Sequence, residues 1–263
     1  MKKSLVVISV FFLIVFSSAA IGKPDKSKKF EIPSHAKQIS DDVYDLGYAV
    51  HNGELVQGYA FVHKKDADAK QGAGKVKGSA CFSYLSSGAR WKVTEPYVLD
   101  TANSDGMSNN FVNVTVQKAL NVWDSQVPFA IFGPRDLTSG VDGADAISPD
   151  GKNEIYFGAV ADPNTIAVTT VWGIFSGPTF QRRIVEFDAL FNDDGYKFGN
   201  ADFDASVMDL ENIAAHELGH AAGMGHPSNT CSEETMYAYA GFGETKKRDL
   251  NAGDINGIKN LYK

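Results

Sequence analysis

The chain is predicted to fold as an α+β domain, and three observations carry that prediction. Runs with strand character lie around Trp91 to Leu99, Glu154 to Gly158, Ala167 to Ile174 and Ile184 to Phe191. An amphipathic helix is marked by Val112, Val116, Ala119, Leu120 and Trp123, which recur on one face. A second helix is marked by Val207, Leu210, Ala214, Leu218 and Ala221, a buried stripe beside the segment HELGHAAGMGH from His216 to His226. The roughly 180 residues from position 81 onward are enough to bury one core.

Met1 to Ala20 has the pattern of a signal peptide. Lys2 and Lys3 open it, Leu5 to Phe16 is a nearly unbroken apolar run, and Ser18-Ala19-Ala20 offers small residues for cleavage. The run falls short of the about 20 residues a membrane span needs, and no later segment is apolar enough. A secreted, extracellular protein without membrane attachment after signal cleavage is expected, acting as a monomer.

Residues 21 to 80 differ in character from residues 81 to 263. The first stretch holds ten Lys/Arg against eight Asp/Glu, the second thirteen against twenty-four. An acidic main region argues against a nucleic-acid partner, which would want a basic face. VYDLGYAVH and ELVQGYAFVH flank Asn52-Gly53, a strong hairpin signal. Lys64 to Gly78, rich in Lys, Gly and Ala, reads as an exposed linker. Residues 21 to 80 are thus either a removable β-structured pro-segment or a retained accessory element.

Within the main region, Ser206 with Asp209 reads as the N-cap and capping-box partner of the second helix. Asn251 is the expected N-cap of a last helix carrying Ile255, Ile258 and Tyr262. The chemistry lies between them. Residues four apart on a helix share a face, so His216 and His220 can aim ring nitrogens at one metal ion. Gly223 can adopt a left-handed conformation and end the helix, letting the chain return with His226 as third ligand. Three neutral imidazoles suit Zn²⁺ and leave its fourth position to water, as in a catalytic site. Glu217 stands beside them, where it can take that water's proton.

HELGHAAGMGH fills every fixed position of HExxHxxGxxH, which resembles the metzincin metalloprotease signature. Thr235-Met236-Tyr237 resembles the turn whose methionine lies beneath the zinc in that clan, making Met236 its counterpart. LNAGDINGIKNLYK resembles the last helix of matrixins, VQKALNVW their first helix, and RRIVEFDALFND the strand before the zinc helix. The likeness covers about residues 81 to 263. It implies a zincin fold: a twisted, mainly parallel mixed sheet, two backing helices including the active-site zinc helix, and a C-terminal helix. It also implies zinc-dependent cleavage of a protein or peptide substrate lying extended along a sheet edge, with Glu217 as general base and then acid. Tyr237, Ala238 and Tyr239 would wall the pocket beside the scissile bond. One departure is Pro227 after the third histidine, where matrixins usually have serine and serralysins proline. Tyr239 is three residues past Met236, which does not match the spacing of an astacin-type tyrosine ligand.

The other histidines, His35, His51 and His63, all precede the main region, so a second zinc of the matrixin kind is not expected. Calcium needs only oxygen ligands, and Asn192, Asp193, Asp194, Asp202 and Asp204 could supply them. Cys81 and Cys231 are the only cysteines. Export favours a disulfide between them; the rival is a cysteine switch, although KGSACFSY lacks the PRCGxPD pattern of matrixin pro-segments. Two rival functions remain: a non-catalytic zinc-binding protein on this fold, and a zinc hydrolase of a non-protein substrate.

Overall fold

The computed structural model describes residues 29–65 and 80–263. The signal-peptide reading and most of the Lys64 to Gly78 linker lie outside the described residues. In chain order the elements are β1 (Lys37–Ser40), β2 (Val43–His51), β3 (Glu54–Lys65), β4 (Ser83–Tyr84), β5 (Glu95–Leu99), α1 (Asn109–Asp124), β6 (Phe132–Asp136) and β7 (Glu154–Gly158). They continue with β8 (Thr165–Ile174), β9 (Arg183–Asn192), β10 (Phe198–Gly199), β11 (Met208–Asp209), α2 (Leu210–Ala221), β12 (Met224–Gly225), β13 (Tyr239–Ala240) and α3 (Ala252–Leu261).

One sheet organises the described residues, in the order β1-β2-β3-β8-β9-β7-β5-β6, with β13 added beside β3. From β9 to β6 the neighbours are parallel, and β8 is antiparallel to β9. The α+β class and the mainly parallel mixed sheet hold over residues 95 to 192. The hairpin then extends the same sheet rather than standing apart: β3 pairs with β8 in antiparallel register from Gln57↔Gly173 to Lys64↔Thr165. Its turn is the one the sequence signals, with Asn52 and Gly53 both at positive φ.

Strand β6 escapes sequence reasoning, because Gly133 and Pro134 interrupt any strand pattern. It forms at the sheet edge, where a missing N–H is tolerated, by pairing parallel to β5. The N-cap of α2 is Asp209 rather than Ser206. The Asp209 carboxylate accepts from Asn212 N at 2.9 Å and also binds Arg248, so a tertiary ion pair selects the cap. Ser206 instead bonds Asp204. Asn251 caps α3 as expected, with its N–H donating to Asp254.

α1 and α2 back one face of the sheet. The Trp123 indole donates to Ala215 O at 2.8 Å, and Trp91 donates to Ala221 O at 2.8 Å. Tyr262 of the C-terminal region donates to Ala222 O at 3.0 Å. A buried helix end must find donors for its last carbonyls, and these aromatic side chains supply two of them. The end of α2 is therefore clamped where the metal motif begins its return.

Cys81 and Cys231 form a disulfide with Cα atoms 5.6 Å apart. That removes Cys81 as a switch thiol. The bond joins the start of the main region to the loop between His226 and Met236. Replacing both cysteines by serine is expected to cost about 4 to 5 kcal/mol of stability, since the bond closes a loop of 150 residues. Urea unfolding with and without reductant reads this directly; an unchanged midpoint would contradict it.

Candidate metal and catalytic site

His216 and His220 leave successive turns of α2 toward β3. At Gly223, φ of +102° ends the helix, and its N–H closes onto His220 O at 2.9 Å. β12 then pairs antiparallel with β4, which returns the chain and delivers His226. The three Nε2 atoms lie 3.0–3.2 Å from one another. A tetrahedral ion with Zn–N bonds of about 2.0–2.1 Å asks for about 3.3 Å between its nitrogens, so the donors fit zinc.

Their orientation is set behind the ring. His216 Nδ1 donates to Thr235 O at 2.7 Å, and His220 Nδ1 donates to Met224 O at 3.0 Å. With hydrogen held on Nδ1, each Nε2 keeps its lone pair for a metal. His226 Nδ1 lies 2.9 Å from the carboxylate of Asp42, between β1 and β2. His226→Ala is expected to drop zinc occupancy well below one ion per chain, measured by elemental analysis. Unchanged occupancy would show that the third ligand is misassigned.

Met236 is fully buried beneath α2, with its sulfur against Gly219, where a Cβ would collide with it. The Met236 and Thr235 N–H groups both donate to Asp254 of α3. The C-terminal helix thus holds the methionine turn in place.

Glu217 is fully buried. One carboxylate oxygen accepts from the Thr169 hydroxyl of β8 at 2.6 Å, and the other is 2.9 Å from His63 Nδ1 of β3. Burial pushes Glu217 up to about 8, against the Thr169 hydroxyl and the Lys247 charge, which lower it. On its other side His63 Nε2 meets Lys247 Nζ at 2.9 Å. Burial first, and the Lys247 charge second, hold the His63 imidazole well below its ordinary range. A neutral His63 therefore accepts from Lys247 through Nε2 and donates from Nδ1 to Glu217. Its ring stacks on His216 at 3.8 Å, and Phe61 stacks on His220 at 4.1 Å. Strand β3 lies directly over His216 and His220.

Sequence reasoning placed His63 outside the region of interest, and it passed over Asp42, Phe61, Thr169 and Lys247. No local pattern marks these residues; His63 and Glu217 are 154 positions apart. Calcium, which the sequence leaves open, gains no support from the side chains named for it. Asn192 bonds Val160, Thr165 and Gly195, Asp193 accepts from Ser104, Asp194 pairs with Lys29, Asp202 with Arg248, and Asp204 with Lys197. Each has a separate partner, so the five do not converge. Among the described residues, Asp142, Asp150 and Glu154, and Asp145, Asp150 and Glu186, are the carboxylates that do.

A zinc helix beneath a mixed sheet, with a third histidine after a glycine turn and a methionine turn below, defines a zincin fold of metzincin type. The matrixin family model matches residues 90–263, and the chain belongs to that family. It is 26% identical over 189 residues to Metalloendoproteinase 1-MMP of Arabidopsis thaliana, covering 70% of this chain and 47% of that protein. It is 31% identical over 157 residues to human Matrilysin, covering 57% of this chain and 50% of that protein. The chain spans about half the length of these curated relatives.

Proposed function

We propose that this protein is a secreted zinc-dependent endopeptidase whose cleft is closed by its own residues 29–65 until they are displaced. The observation that carries the peptidase reading is the pairing of three Nε2 atoms at 3.0–3.2 Å with a carboxylate on the same helix turn. A purely structural zinc has no use for such a neighbour. When bound, Zn²⁺ would supply a Lewis acid for the peptide carbonyl and acidify a water.

The chain's own residues do the rest. Glu217 takes the proton of the attacking water at one carboxylate oxygen and returns it to the departing amine. Thr169, donating to the other oxygen, orients that carboxylate. The substrate occupies the rim formed by β8 and β13. Incubation of the protein, as processed by the exporting cell, with unfolded casein tests the reading: cleavage that a zinc chelator stops is expected. Cleavage insensitive to chelation, or none at all, would refute it.

The latency reading is supported by β3, which leaves His216, Glu217 and His220 buried. Residues 66 to 79, with Lys70, Lys75 and Lys77, are the proposed site of processing. Here histidine and phenylalanine rings of β3, rather than a thiol, cover the rings of His216 and His220.

A further inference from the structure

Strand β3 shows how an extended chain sits in this cleft. It runs antiparallel to β8 and, at Lys64 and Lys65, parallel to β13. Alternate side chains face the metal site: Phe61 covers His220, and His63 covers His216 and reaches Glu217. A substrate strand that replaces β3 between the same two edges must put one side chain where His63 now lies.

The floor of that position is unusual. Lys247 is fully buried. Its backbone N–H donates to Asn212 Oδ1 of α2 at 2.7 Å, fixing the turn that bears it. Its Nζ donates to Tyr237 O at 2.6 Å, to Tyr239 O at 2.9 Å and to His63 Nε2 at 2.9 Å. Burial pulls Lys247 down to about 7; in its protonated form the amine has three protons to place. Two go to backbone carbonyls that remain when β3 leaves, and the third loses its acceptor. A buried donor without a partner is costly.

We propose that Lys247 is a specificity-determining residue, selecting substrates that present glutamate or glutamine to the pocket now filled by His63. The inference rests on the peptidase reading and deepens it. The reach fits: the terminal oxygen of Glu or Gln, like Nε2 of histidine, is three bonds from Cβ. Aspartate is a bond shorter, and its charge would stop beside Glu217. Leucine is also a bond shorter and offers no acceptor at all.

The test uses the protein as the exporting cell processes it, on a proteome-derived peptide library, with new termini read by mass spectrometry. Matched peptides carrying Gln, Glu, Asp or Leu at the enriched position then give kcat/KM. Wild type is expected to favour Gln and Glu over Leu by about tenfold or more. Lys247→Met should bring that ratio to one or below, a change that general loss of structure would not produce. The wild-type ratio decides the matter even if the variant fails to fold. A ratio near one or favouring Leu in wild type, or an unchanged ratio in Lys247→Met, would overturn the proposal while leaving the peptidase reading intact. Failure to cleave any peptide or casein would overturn both.

Discussion

Glu217→Gln is expected to lower kcat by about 10²- to 10⁴-fold, the usual worth of a positioned general base, while zinc remains bound. Glutamine keeps the size of the side chain, can accept His63 Nδ1–H through its one amide oxygen while its amide nitrogen donates to the Thr169 hydroxyl, and leaves the three imidazoles alone. Only the capacity to take a proton is lost. Elemental analysis and cleavage of unfolded casein, run on the same preparation, separate metal from chemistry. An activity within tenfold of wild type would sink the role assigned to Glu217. Loss of zinc along with activity would show that the carboxylate supports the metal site instead.

Opening the chain between β3 and β4 is expected to raise activity by at least about tenfold, because apparent affinity scales with the fraction of molecules whose cleft is free. The full-length protein, given a recognition sequence for a site-specific protease within residues 66 to 79, provides the comparison before and after the cut. Size-exclusion chromatography tells whether residues 29–65 have left. The ladder of β3 on β8 holds the fragment after the cut, so the gain should follow its release rather than the cut itself. If activity stays level or falls as the fragment departs, β1 to β3 are a retained part of the enzyme. His63 would then be part of the working site.

Local chemistry was legible without a structure wherever it is written in spacing or in a single residue's conformational freedom. Histidines four apart on a helix must share a face. Gly223 supplies the positive φ that ends the helix, and Asn52-Gly53 supplies the two that close the hairpin. The apolar periodicity of 112–123 marks α1, whose Val112, Val116, Ala119, Leu120 and Trp123 are all buried. The choice of Asp209 over Ser206 as helix cap could not be read this way, because both residues can cap and Arg248, far along the chain, decides between them.

The sequence by itself singled out His216, His220 and His226, the adjacent Glu217 and the methionine beneath them, since their placement follows from helix geometry and a short return of the chain. Only the tertiary structure decided what lies over them. Pairing between β3 and β8 joins positions more than a hundred residues apart, and backbone ladders carry no residue code by which the partner strand could be named beforehand. That pairing brings His63 to Glu217 and Lys247, and so converts a hairpin that looked like an appendage into the roof of the site.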